Sequence, residues 1–350
     1  LYLLRVAPMM MPELVDEWFE NELLKSAIST AGIHHLSFGP FAAGTGYNLL
    51  HQHVHGMGIF HNVQFVKGGT ANLVYILKSI AESSGVKFQT NTKVKSIEIK
   101  TGSCSGVRLI NGESIAAKLV VSGLDPNNTF INLVGAPNLN PNFQKQLNNI
   151  KYRGSTARIH FALNGLPQIK ELSEAEMKTV FSICPSIEYL ERASDGVKYG
   201  QLSEKPYVEF TIPSLMNTDF APSGKHVLSA TVQYAPYHLR DNKWTDNLKS
   251  QLKNSVVHAI ERIIPGFSSM IDSTTTISPL DLETQFGLTE GNLNHGEMTL
   301  DQFLFMRPTM SSAQYKTPIH NLYLCGPGTH PGGGLHGTNG FNAAREILNT

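Results

Sequence analysis

The sequence predicts an α/β fold with α+β character in its middle third, and three observations carry that expectation. An amphipathic helical stretch near residue 70 runs into a series of short strands ending at Ser122. Alternating segments between 156 and 234 read as an antiparallel sheet, followed by a long helix. Near the end, an apolar strand from Leu322 to Cys325 feeds a glycine cluster and then a second helix.

Taken in order, residues 13–31 are predicted as a single helix, with Leu14, Val15, Trp18, Phe19, Leu23, Leu24 and Ala27 at helical spacing. A loop-rich, histidine-rich stretch follows as far as Lys67. Thr70 is the expected N-cap of a helix with Leu73, Ile76, Leu77, Ile80 and Ala81 on its apolar face, and Gly85 its stop. Short strands are expected at Val86–Thr90, Val94–Ile99 and Gly106–Ile110, with Asn111-Gly112 as a hairpin turn. Ile115–Ser122 ends in Leu119-Val120-Val121, the texture of a strand entering a buried sheet. Thr156–Leu163, Tyr207–Ile212 and Val227–Tyr234 are expected to be antiparallel strands. Thr245 caps a helix over 246–264, which Pro265-Gly266 ends, and Asn339–Leu348 is the last helix. No internal repeat is found.

At 350 residues the chain is long enough for one large domain or two interleaved ones. Its 28 basic and 28 acidic residues balance, so net charge argues neither for nucleic acid nor for a membrane surface. With 30 Gly, 18 Pro and only 16% charged residues, it suits a compact, loop-rich enzyme better than a coiled coil or disordered adaptor. Cys104, Cys184 and Cys325 have no CxxC spacing, which points to a reducing compartment rather than a disulfide framework. That means cytoplasm in a bacterium or the mitochondrial matrix in a eukaryote. No apolar run is long enough to span a bilayer and no targeting peptide is evident. The opening Leu1-Tyr2-Leu3-Leu4-Arg5, without an initiator Met, suggests a piece of a longer chain.

The tail carries the chemistry. Strand, glycine cluster and helix together place several main-chain N–H groups at a helix N-terminus, and glycines let a flat or phosphorylated ligand approach the backbone. A tightly turned surface loop is the alternative for any isolated glycine cluster. A strand before it and a helix after it favour a cofactor site.

Leu322–Arg345 resembles the C-terminal flavin-binding segment of phytoene-desaturase-like, FAD-dependent oxidoreductases. Two further blocks resemble the same group. One is Gly68–Val134, which includes Val120-Val-Ser-Gly-Leu-Asp-Pro126. The other is Ser278–Pro308, with Asp281-Leu-Glu, Gly291-Asn, His295-Gly-Glu, Asp301-Gln and Arg307-Pro. The likeness covers most of the chain, including Asp16-Glu-Trp-Phe.

The resemblance implies an FAD/NAD(P)-binding, Rossmann-like flavoprotein fold interleaved with an antiparallel-sheet substrate domain. The substrate part is expected at 1–61 and 136–274, the FAD-binding part at 62–135 and 275–350. It implies that Gly326, Gly333, Gly334, Leu335, His336 and Gly337 line the FAD, with the final helix directed at the isoalloxazine and ribityl region. Val94 would lie on the strand that meets the adenine, and Ser122-Gly123 in the loop beside the cofactor. Many flavoproteins of this kind have Gly-Asp after the last strand. Here Pro327 follows Gly326, so no acidic ribityl contact is expected. Gly39–Gly46 includes Pro40 and follows no apolar strand, and no strand–GxGxxG–helix unit for the ADP half is recognised. The fold is therefore read as incomplete, with a FAD site that is also incomplete.

The implied reaction is oxidation or desaturation of an apolar small molecule by hydride transfer to the flavin. The alternatives are an amine-oxidase-like flavoprotein and a non-catalytic module that keeps the fold. Peripheral membrane contact is compatible with an apolar substrate. No catalytic side chain is singled out. His51, His53 and His55, with His61 nearby, alternate like ligands on a strand face, but no carboxylate or cysteine accompanies them. Histidines on the substrate side are preferred to a metal site. His330 and His336 are structural or near the flavin, and Arg307 and Asp301 are functional or form an ion pair or turn.

Overall fold

The computed structural model describes residues 2–53, 65–240 and 243–349. Its helices are α1 (Tyr2–Val6), α2 (Met11–Asp16), α3 (Glu22–Ile33), α4 (Thr45–His53), α5 (Thr70–Ser83), α6 (Pro141–Asn148), α7 (Ile187–Lys198), α8 (Asp246–Glu261), α9 (Pro279–Phe286) and α10 (Thr338–Leu348). Its strands are β1 (Val94–Lys100), β2 (Ser103–Leu109), β3 (Ser114–Ala116), β4 (Val120–Ser122), β5 (Thr156–Leu163), β6 (Phe181–Ile183), β7 (Tyr207–Thr211), β8 (His226–Gln233), β9 (Ile271–Ile277) and β10 (Leu322–Leu324).

The chain divides into two compact units, each built from two segments. One comprises Leu1–Phe88 with Ser155–Leu280, the other Gln89–Gly154 with Asp281–Thr350. These boundaries differ from the expected ones. Residues 136–154 go with the strands before them because Phe143 and Leu147 of α6 pack with Phe130, Leu322 and Leu324.

The first unit is organised on an antiparallel sheet of order β6-β7-β8-β5-β9. Ala157, Ile159, Phe161 and Leu163 alternate along β5 and are all buried, as period-two patterning requires. They pack with Leu228, Ala230 and Val232 of β8 and with Leu252, Val256 and Ile260 of α8. Phe161 meets Phe267 edge-to-face at 5.2 Å between ring centroids. The Thr245 side chain accepts from Leu248 N, the expected cap of α8.

Four local expectations are corrected. The single helix over 13–31 is two, because the chain leaves α2 at Asp16 and re-enters with Asn21 as a new N-cap accepting from Leu24 N. Gly69 at φ 89°, not Thr70, precedes α5. Residues 86–90 form no strand. The strand-like alternation at His51 and His53 lies on α4, where neighbours two apart do not share a face. His53 Nδ1 is 2.8 Å from Leu49 O within the helix, and His55 and His61 lie outside the described residues.

The apolar side of α5 is not covered by the described residues. Val74, Ile76, Leu77 and Ile80 are all more than half exposed. Among the described residues, no helix is long and apolar enough to cross a membrane.

The second unit holds the antiparallel sheet β1-β2-β3 and the parallel pair β4 and β10. Asn111-Gly112 turns β2 into β3, with Gly112 at φ 92°. A π-helical stretch over Asn127–Val134 contributes Phe130, which packs edge-to-face on Phe143 at 4.9 Å.

Candidate functional site

The site begins where two parallel strands end together. Val120, Val121 and Ser122 of β4 pair with Leu322, Tyr323 and Leu324 of β10. Cys325 N then donates to Ser122 O at 2.9 Å, so the two following loops leave side by side. Ligands of open α/β sheets bind at such carboxyl ends. Close approach demands glycine here, since a Cβ on Gly326 would stand 2.5 Å from Gly123 O.

Ser122 faces inward. Its Oγ lies 2.7 Å from Thr129 Oγ1 and accepts from Leu124 N at 3.3 Å, which fixes the turn after β4. Asp125 is buried and accepts from Asn128 N at 2.8 Å and from Thr289 Oγ1 at 2.9 Å. This carboxylate therefore joins the turn to the 289 segment and is not aimed at a ligand.

The loop over 325–337 is tied down from behind. Asn339, in the first turn of α10, places Nδ2 3.0 Å from Thr329 O and 3.3 Å from both Gly326 O and His330 O. Gly333 packs against Asn294, whose Oδ1 would be 1.9 Å from a Cβ there. Tyr315 Oη donates to His330 O at 2.7 Å and accepts from Asn342 Nδ2 of α10 at 2.8 Å. The outer side is bare. Gly334 and Gly337 are exposed, and Leu335 is 94% exposed. α10 has no side-chain N-cap, although Thr338 N donates to His336 Nδ1 at 3.1 Å. Asn339 and Gly340 carry the next N–H groups of this helix end, which is suited to negative charge.

Two histidines stand at the loop, His330 within it and His295 beside Gly326. His295 Nδ1 and His330 Nδ1 are buried, with no hydrogen-bond partner among the described residues. Burial pushes both imidazoles below the ordinary value, and the Arg307 charge pushes in the same direction. Asp125 opposes that shift at His295. Both rings are therefore neutral near pH 7.

The remaining expected residues lie as follows. Val94 is half-buried at the start of β1, opposite Leu109 on the three-stranded sheet, and its strand is not hydrogen-bonded to the β4–β10 pair. Asp301 pairs with Lys151 at 2.7 Å on the surface, and Thr299 donates to it at 2.5 Å, a turn and ion pair. Arg307 is only 2% exposed, and its guanidinium donates to main-chain carbonyls. Sequence reasoning misses Asn294 and Asn339. It also misses that Gly332-Gly-Gly-Leu-His-Gly337 spells G-x-G-x-x-G. The chain runs seven residues beyond β10 before this motif, so it does not open directly from a strand.

The family model described as "Flavin containing amine oxidoreductase" matches residues 37–348. This chain belongs to that family. It is 33% identical over 350 residues to "Pyridine nucleotide-disulfide oxidoreductase domain-containing protein 2" of Rattus norvegicus, covering 96% of this chain and 60% of the relative. It is 26% identical to "Phytoene desaturase (lycopene-forming)" of a Paracoccus species, covering 93% of this chain and 62% of that one. The fold is that of an oxidoreductase from Methanosarcina mazei at a TM-score of 0.61 and 16% identity, covering 97% of this chain and 68% of that chain. The chain thus spans about three fifths of the length of these curated relatives. Family membership makes FAD the cofactor, and the residues agree. Paired strand ends, close-packed glycines and a helix N-terminus without a side-chain N-cap are the features that would hold it.

Proposed function

We propose that this chain forms the flavin end of a FAD-dependent oxidoreductase that takes hydride from an apolar small molecule. One observation carries the reading: the loops after β4 and β10 leave side by side, and the loop after β10 runs into the N-terminus of α10, which has no side-chain N-cap. When bound, FAD supplies the hydride acceptor. The chain supplies position and field. Gly337 presents backbone with nothing packed against it, and the start of α10 favours negative charge on the ligand. Ser122-Gly123, Gly326 and Gly333 shape the loop, while Val94 contributes backbone for the adenine end.

An open groove of about 640 Å³ beside His330 is lined by Leu304, Phe305, Met310 and Ala313 as well as Ser311, Gln314 and Lys316, and its apolar side suits an apolar reactant. Oxidation of a C–C bond, as the name of the Paracoccus relative suggests, and oxidation of an amine, as the family description suggests, are equally supported. A neutral His330 at the groove suits either.

The test is the flavin absorbance spectrum of the purified full-length gene product and of this chain alone, each before and after added FAD. A yellow full-length protein supports the reading. A full-length protein that stays colourless with FAD added would leave only a non-catalytic module with this fold. Anaerobic bleaching of the yellow protein by a polyene or by a primary amine then separates the two substrate classes.

A further inference from the structure

Among the described residues, Arg307 is a buried cation without a carboxylate partner. Its Nε donates to Pro327 O at 3.1 Å, and Nη2 donates to the same oxygen at 3.0 Å. Nη1 donates to Gln302 O at 3.3 Å, while Nη2 also donates to Gly296 O at 3.0 Å and to Asn294 O. Each of these partners is a main-chain carbonyl. A buried ion is ordinarily neutralised by a counter-ion, because desolvation of the charge is costly. Here carbonyl dipoles solvate the guanidinium, but its positive charge is left uncancelled.

The position of that charge gives it a use. Pro327 follows Gly326 directly, and a Cβ on Gly332 would lie 3.6 Å from Arg307 Nε. The guanidinium therefore backs both ends of the turn over 326–332. Its field reaches the imidazole of His330, within the turn, and that of His295, beside it, where the opposite effect of Asp125 is larger. Asp125 accepts from Asn128 and Thr289 rather than from Arg307. In a low-dielectric interior such a field acts on any group seated against the loop.

We propose that Arg307 is a positioning residue with an electrostatic role. It clamps the Pro327 carbonyl and holds a positive potential behind the glycine loop that favours the reduced, electron-rich form of the flavin. This rests on the reading of the loop as a FAD site. It adds to it a residue role, distinct from the glycines and from the start of α10.

The experiment uses the full-length gene product loaded with FAD, equilibrated anaerobically with a reference dye during slow reduction. The wild type is compared with free FAD and with the variants Arg307→Lys and Arg307→Gln. Wild-type flavin should be reduced at least tenfold more readily than free FAD at the same dye poise, about 30 mV for a two-electron couple. Arg307→Gln, which keeps donors but loses the charge, should forfeit most of that factor. Arg307→Lys, which keeps the charge but loses the fork, should retain most of it. If Arg307→Gln does not fold, the wild type and Arg307→Lys against free FAD decide the matter.

A wild-type flavin no easier to reduce than free FAD overturns the proposal, as does a folded Arg307→Gln protein within twofold of wild type. Failure of the wild type to bind FAD at all would overturn the site assignment itself, and the two results are read separately.

Discussion

Asn339 reaches back from the first turn of α10 to Thr329, with Nδ2 3.0 Å from its carbonyl oxygen and 3.1 Å from its hydroxyl. One buried amide thus holds the glycine loop to the helix that follows it. Removing it takes the Asn339 donor from the buried Thr329 carbonyl, while Gly326 O and His330 O keep other donors. Asn339→Ala should lower stability by about 1–3 kcal/mol and weaken FAD binding, read by thermal unfolding and by flavin fluorescence titration. A variant that keeps wild-type affinity would show that the loop is held by its other contacts.

Glycines of the loop and of the helix after it are not equivalent. A Cβ at Gly326 meets Gly123 O at 2.5 Å, whereas a Cβ at Gly340 meets nothing within 4 Å. Gly340 sits in α10, where alanine is favoured by roughly 0.5–1 kcal/mol. Gly340→Ala should therefore raise the unfolding midpoint of the flavin-free chain. If the flavin sits against this helix end, the same change should reduce FAD affinity. Gly326→Ala should instead lower stability with or without flavin.

His35 gives a pH dependence. Its half-buried ring lies just beyond α3, with Nδ1 3.2 Å from Thr156 Oγ1. Burial, then the neighbouring His34 and Arg158, hold its pKa well below the ordinary 6.5. The unfolded chain consequently binds a proton more readily than the folded one. Stability is fully present above pH 6.5 and is lost as pH falls below it, by up to roughly 1.4 kcal/mol per pH unit for one such histidine. His295 and His330 act in the same direction. Urea unfolding at pH 7.5 and 5.5 should show a smaller difference in His35→Asn, since asparagine tolerates the φ of 60° at this position.

Phe161 tests the sheet. It is fully buried and packs against Phe267. Phe161→Ala should cost about 3–5 kcal/mol, measured as a shift in denaturant midpoint. Phe220→Ala, at a 46% exposed side chain, serves as the control and should shift it little.

The outline of both units can be read from the sequence wherever one period runs long enough. β5, β8 and α8 each bury one face of regular spacing, and the expected positions agree to within a few residues. Short elements give weaker signals. β6 has only Phe181–Ile183, too short for alternation to declare itself, and the seven residues of β9 include three consecutive threonines. At the site, the glycines and the flanking strand and helix are legible because backbone geometry restricts residue type there. Asn339 and Asn294 are not, because an amide in a helix or loop is ordinary until its partners are known. Arg307 stands out in the sequence beside Pro308, but its want of a carboxylate depends on which distant carbonyls surround it.

The helix α5 has one further consequence. Its fourteen residues include none that are buried, so its helicity rests on local propensity alone, which is marginal at that length. Its amides should exchange with deuterium far sooner than those of α8, whose Leu252, Val256 and Ile260 are locked in a core. Any molecule that covers Ile76, Leu77 and Ile80 should slow that exchange, so α5 can report by mass spectrometry when the chain acquires a companion.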